Sequence, residues 1–339
     1  MYKINTYAIT GYPEIETTIK NGKLFVKSVG DSYNQQVKSG EHIIKINGKD
    51  ATDFINEKLS YISYSTLPSG WTRLTGGNDL FLTFTNGNNY SSFELTIKQS
   101  EGSEKVVEIP ASKSLPFYSN SNNNFIEELE GKIYYVNLTN PRTIKYKSFK
   151  ERIAELNTGK GIIFDMRGYP NVDVLSIISH LTDTILSSGN LNEVVTYYPD
   201  HIQPQLIPSE KWFVAPAMSD ISESYAKKYK YPQPIKQKIE RPCVFLVDAT
   251  SISFMETILD MVKHYQLGVL VGSNSAGCNG DVMNFKMTFA PFAMTGYKFM
   301  NRDGSQHHGV GIIPDIYTEN MDPFVDKQLN TAIKLLNEQ

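Results

Sequence analysis

Cys243-Val244-Phe245-Leu246-Val247-Asp248-Ala249-Thr250-Ser251-Ile252-Ser253-Phe254-Met255-Glu256 decides how this chain folds. Five apolar residues in a row, without alternation, predict a short strand buried on both faces. The apolar spacing from about Phe254 to His264 then predicts a helix. Small hydroxyl residues crowd the junction between them, and Ser253 has two possible uses there. Thr250, Ser251 or Ser253 can cap the helix, with Glu256 closing a capping box on Ser253. Alternatively the Ser253 hydroxyl is presented as a nucleophile, with the N–H groups of Phe254 and Met255 near an oxyanion. The two roles compete for one hydroxyl.

Working outward, strands expected at 132–138, 161–165, 243–247 and 267–271 alternate with helices at 146–156, 174–181 and 254–264. This pattern predicts an α/β core built on a mixed, largely parallel sheet with helices on both faces. Residues 197–240 are Pro- and Lys-rich without periodicity and read as a surface insertion. An amphipathic helix over 326–336, started by Asp322-Pro323, closes the chain. The first part is small and mostly β, with strands at 23–29 and 106–109 and a run from Ser39 to Lys49 ending in the Asn47-Gly48 turn. A helix over 53–59 and a hairpin pairing 79–85 with 92–98 complete it. The Ser/Asn-rich stretch at 119–124 reads as a linker, giving domains at 1–115 and 131–339 joined by 116–130.

Composition narrows the function. The 339 residues are 40% hydrophobic and 20% charged with net charge -3, which suits a packed core and offers no basic surface for nucleic acid. No run of 18 apolar residues is present to span a membrane, and the start lacks a secretory h-region. The two cysteines, Cys243 and Cys278, exclude a disulfide scaffold and a four-cysteine zinc site.

Ligands of open α/β sheets bind beyond the carboxyl ends of the strands. Three loops qualify, at 165–171, 251–256 and 272–280. The last lacks the Gly-Lys-Ser/Thr ending of a phosphate cradle. A serine needs a base, and there are six histidines: His42, His180, His201, His264, His307 and His308. His307 and His308, in a loop before Ile312-Ile313-Pro314-Asp315, are the candidates. The alternatives for that pair are a metal site, for which the ligand spacing is absent, and plain loop residues. No metal or cofactor is therefore assigned.

Four motifs in order resemble the carboxyl-terminal processing (tail-specific) serine peptidase family. Gly40-Glu41-His42-Ile43-Ile44-Lys45-Ile46-Asn47-Gly48 is similar to its PDZ-type segment. Ile162-Ile163-Phe164-Asp165-Met166-Arg167-Gly168 is similar to its Asp-Leu-Arg strand end. Ser251-Ile252-Ser253-Phe254-Met255-Glu256 resembles small-x-Ser-x-x-Glu, and Gly311-Ile312-Ile313-Pro314-Asp315 resembles its Gly-Ile/Val-x-Pro-Asp ending.

The resemblance implies a PDZ-like domain at 1–115 ahead of a peptidase core, and hydrolysis near polypeptide C-termini through acylation of Ser253. His308 or His307 would be the base. Glu256 would hold the base or, as favoured here, cap the helix. Oxyanion donors would be the backbone N–H groups of Phe254 and of Asn171 or Val172. It further implies partners that are peptide or unfolded-protein C-termini, and an extracytoplasmic, periplasmic setting.

The chain also departs from the pattern. Cys278 stands where Ser–Lys members carry the basic lysine, and Lys286 is displaced into the next strand. This places the chain nearer the tricorn-like and retinoid-binding-protein-like branches. Their Asp-Gly-His run is absent, and Met1 begins about where it would have ended. His308 replaces an acidic residue, and Tyr169, Pro170, Asn171 and Val172 replace a glycine pair. The alternative expectation is accordingly a catalytically impaired relative that binds peptides.

Overall fold

The computed structural model describes residues 12–30, 32–76, 80, 92–99, 101–112, 125–139, 146–193, 233–280, 282–286, 291–295, 297–320 and 325–338. The expected strand over 79–85 (Leu80 apart), the linker at 119–124, His201, most of the 197–240 insertion and the Asp322-Pro323 start lie outside them. The chain divides into two compact units, Met1–Asn122 with Glu319–Lys327, and Asn123–Thr318 with Gln328–Gln339.

The first unit holds β1 (Tyr12–Pro13), β2 (Ile15–Lys20), β3 (Lys23–Val29), β4 (His42–Ile46), β5 (Lys49–Asp50), α1 (Ala51–Leu59), α2 (Leu67–Gly76), β6 (Ser92–Lys98) and β7 (Glu104–Ser112). Its strands pair antiparallel in the order β1-β7-β6-β4-β3-β2, with β5 on β4. Asn47 and Gly48 both take positive φ, 50° and 75°, which lets the two-residue turn follow the strand twist. A register shift between Ile43 and Lys45 interrupts the β4 alternation, so Ile43 and Ile46, three residues apart, are both at 0% exposure in a core with Leu24, Val26, Leu95 and Ile97. Asp50 caps α1 by accepting the N–H groups of Thr52 and Asp53.

The second unit comprises β8 (Ile126–Leu129), β9 (Ile133–Asn137), α3 (Tyr146–Glu151), α4 (Ile153–Leu156), β10 (Gly161–Asp165), α5 (Val174–Ile178), β11 (Asn190–Glu193), β12 (Cys243–Val247), α6 (Phe254–His264), β13 (Val269–Gly272), β14 (Val282–Lys286), β15 (Pro291–Thr295), β16 (Tyr297–Met300), β17 (Ile316–Tyr317) and α7 (Lys327–Asn337). A six-stranded sheet runs β17-β13-β12-β10-β9-β8. Every pair is parallel except the antiparallel edge β8–β9. Both faces are covered, as unbroken apolar strands require. Phe164 and Phe245, with rings stacked 5.1 Å apart, join Met255, Ile258, Leu259 and Val262 of α6 on one face. On the other, Ile163, Val244, Leu246 and Val271 meet Ala332 and Leu336 of α7. Each fully buried side chain of this kind contributes about 1.5–3 kcal/mol.

Several expected elements take a different form. The helix over 146–156 breaks at Arg152, whose φ of -100° and ψ of 1° leave the helical region. Its guanidinium grips the Glu155 carboxylate at two points and the Ile126 carbonyl. The helix over 174–181 ends at Ile178 and tightens into a 3-10 turn, Ser179–Leu181, where His180 is held by the Gln237 carbonyl and the Tyr146 hydroxyl. The strand at 106–109 extends over Glu104–Ser112, and α2 is an addition to the expected elements.

Candidate active site

β10, β12 and β13 lie side by side, so the three loops at their carboxyl ends share one edge of the sheet. The hydroxyl of buried Ser251 donates to the Met166 carbonyl at 2.8 Å, binding the loop after β12 to the loop after β10. The Ser251 carbonyl in turn accepts the Ala276 N–H at 3.0 Å, which brings in the loop after β13. Close backbone approach makes two glycines necessary in this corner. A Cβ at Gly272 (φ +148°) would lie 1.8 Å from the Val247 carbonyl oxygen, and one at Gly311 (φ +79°) 2.5 Å from that of Ser275.

Ser253 stands at the head of α6 with φ 57° and ψ -122°. For a non-glycine residue this backbone is strained by about 1–3 kcal/mol, and such strain collects at functional sites. A serine on a sharp strand-to-helix turn is also how a nucleophile is lifted clear of a sheet. Ser253 and Glu256 form the capping box, but unevenly. Glu256 Oε2 accepts the Ser253 N–H at 3.1 Å, whereas Ser253 Oγ, though placed in the box, makes no full cap hydrogen bond. The Cys278 carbonyl takes the same Ser253 N–H at 3.0 Å.

Glu256 is the hub of the site and is wholly buried. Its Oε1 accepts the Ser275 hydroxyl at 2.5 Å and the Gly277 N–H at 2.7 Å. Its Oε2 accepts the Cys278 N–H at 3.1 Å besides that of Ser253. Ser275 Oγ accepts the Ile312 N–H at 2.7 Å, so one carboxylate and one hydroxyl fasten the helix, the 272–280 loop and the 309–312 segment together. Ser275 was not singled out in the sequence, because its partners are 19 and 37 residues away.

The two candidate bases are engaged elsewhere. His307 is buried, with Nδ1 2.9 Å from Asn301 Oδ1 and Nε2 3.4 Å from Glu256 Oε1. His308 Nε2 accepts the Phe299 N–H at 2.9 Å. Burial, then the neighbouring His307, holds the His308 imidazole below its ordinary range. Among the described residues neither ring is hydrogen-bonded to Ser253.

Of the three expected oxyanion donors, the Phe254 and Val172 N–H groups have no acceptor among the described residues. The Asn171 N–H donates to the Leu138 carbonyl at 3.2 Å and is unavailable. The Asn171 side chain donates to the Thr139 carbonyl at 2.5 Å, and Tyr169 stands exposed on the same turn. Asp165 and Arg167 have a structural use: Arg167 Nη2 meets Asp165 Oδ2 at 2.6 Å, where the hydroxyl of the partly buried Tyr135 also donates. Burial, then the Asp165 charge, pushes that phenol upward. The described residues include no group of three or more His, Cys, Asp or Glu placed to hold a metal ion, and no helix long and apolar enough to cross a membrane.

Comparison with known proteins agrees with this architecture. The model of Peptidase family S41 matches residues 132–318, which takes in β9 to β17 and every residue of the site above. Mature CPAF is similar in structure, with TM-score 0.67 and 12% identity over 97% of this chain and 83% of that one. Mature CPAF complexed with lactacystin gives 0.65 and 12% over 97% and 84%. The photosystem II D1 C-terminal processing protease gives 0.43 and 14% over 96% and 76%. At 12% identity the likeness to mature CPAF is one of fold. No curated protein matches the chain by sequence.

Proposed function

The chain belongs to peptidase family S41, and from that premise we propose that it is a serine-type peptidase that cleaves peptide bonds near polypeptide C-termini by acylation of Ser253. One observation carries the reading. Ser253 sits in a strained turn between a buried strand and a helix, its hydroxyl not drawn into a full cap, with the unengaged Phe254 N–H beside it.

In this mechanism Ser253 Oγ attacks the scissile carbonyl, and the Phe254 and Val172 N–H groups stabilise the tetrahedral oxyanion. The Ser253 proton passes to the His308 imidazole and from it to the amine that leaves; water, giving its proton to the same ring, then hydrolyses the acyl-enzyme, releasing the new carboxyl terminus and restoring the Ser253 hydroxyl. The mostly-β region at 1–115 acts as a PDZ-like peptide-binding domain, with 116–130 as linker and 131–339 as the catalytic core. A peptide C-terminus would be received there as an added strand. The setting is extracytoplasmic.

A second reading has its own observation. Both loop histidines are turned to other partners, which favours a relative that binds peptides without turnover. Purified protein given peptides of identical body and differing C-termini separates the readings. The peptidase reading expects cleavage that Ser253→Ala abolishes. Equal cleavage by both proteins refutes the nucleophile assignment, and binding without cleavage by the unmutated chain supports the second reading.

A further inference from the structure

We infer that His307 is a positioning residue for Ser253, acting through Glu256 with an N–H on both of its ring nitrogens. The inference rests on Ser253 being the reactive residue, but its first two measurements do not.

A run of hydrogen bonds fixes the protons. The Ser305 N–H donates to Asp303 Oδ1 at 2.8 Å, which holds Ser305 Oγ beside Asn301. Asn301 Nδ2 donates to that oxygen at 3.0 Å, which sets the orientation of the Asn301 amide. Its Oδ1 therefore faces His307 Nδ1 at 2.9 Å as an acceptor, and Nδ1 must carry a proton. A neutral ring would then have a bare lone pair on Nε2. Nε2 is buried with no hydrogen-bond partner and points at Glu256 Oε1 from 3.4 Å, both side chains being 0% exposed. Two lone pairs facing each other in a dry interior repel, whereas an N–H there meets a carboxylate.

Charge leads to the same answer. Glu256 already receives four donors, those of Ser253, Ser275, Gly277 and Cys278, so it is the acceptor-only, ionised form. Buried charges need a counter-charge, and among the described residues the ion pair of Glu256 is with His307. The other groups facing the ring are the Phe299 edge, 4.9 Å between centroids, and His308 at 5.8 Å. Neither competes for Nε2. His307 thus steadies Glu256 Oε1, while Glu256 Oε2 holds the backbone of Ser253.

The experiment uses the full chain with 15N-labelled histidine. Correlation spectra at neutral pH are expected to show protons on both His307 nitrogens, and a bare nitrogen in the folded protein overturns the inference. In H307Q the Ser253 backbone amide resonance is expected to shift, and an unmoved resonance also overturns it. If H307Q does not fold, H307N carries that measurement. In the folded variant the acylation rate of Ser253 by a fluorophosphonate should fall roughly ten- to hundredfold, as for a misplaced reacting atom, with kcat lowered and KM kept. An unlabelled parent protein counts against the proposed function, and the spectra still decide the role of His307.

Discussion

Replacing Glu256 by Gln tests the hub from which the site is built. The side chain keeps its shape but exchanges one oxygen for an NH2 donor. If the new nitrogen takes the Oε1 side it faces the Ser275 hydroxyl and the Gly277 N–H. On the Oε2 side it faces the N–H groups of Ser253 and Cys278. The second orientation is the milder one, because Ser253 N–H retains the Cys278 carbonyl at 3.0 Å. Even so, the Cys278 N–H and the new amide lose partners, at about 1–3 kcal/mol for each buried group. Removing the negative partner of His307 brings the total to roughly 3–5 kcal/mol. Urea denaturation of the full chain measures it as a lower midpoint at unchanged slope. For a unit of this size the thermal midpoint should drop by about 6 °C or more. A variant within about 0.5 kcal/mol of the parent, the range of surface substitutions, would refute the hub.

Other outcomes follow from single residues. Burial pushes the Cys243 thiol up to about 12, so native protein at pH 8 should be alkylated at Cys278 and not at Cys243, read by peptide mass spectrometry; rapid modification of Cys243 would contradict its burial. Gly311→Ala places a Cβ 2.5 Å from the Ser275 carbonyl oxygen at φ +79° and should destabilise by more than about 3 kcal/mol, beyond the common range of single substitutions; a soluble variant of parental melting temperature would contradict the close approach. Burial depresses the imidazoles of His42, His180, His264 and His308 in the folded chain. The unfolded chain binds protons first as pH falls through about 6.5, so stability should decline from pH 7 toward 5, and a melting temperature that rises over that interval would contradict the sign.

The sequence made the sheet and the head of α6 legible because their signals are local. The unbroken runs Ile162 to Phe164 and Cys243 to Val247 identify doubly covered strands, and Glu256 lies three residues from Ser253, within reach of a capping box. Ser275 and the Cys278 N–H were hidden because they reach Glu256 across 19 and 22 residues. Periodicity also cannot tell two adjacent loop histidines apart. The turn leading into Gly309 and Gly311 buries His307 and leaves His308 partly exposed. Helix α2 was missed because Pro68 and Gly70 weaken its local propensity. Its packing against β2 supplies what the local sequence lacks.

In the proposed mechanism Ser253 is the residue acylated by substrate. Incubation with a fluorophosphonate probe, followed by peptide mass spectrometry, addresses it most directly. One adduct is expected, on the peptide containing Ser253, absent from Ser253→Ala and diminished in Glu256→Gln. An adduct on another residue, or a folded protein that stays unlabelled, would contradict it.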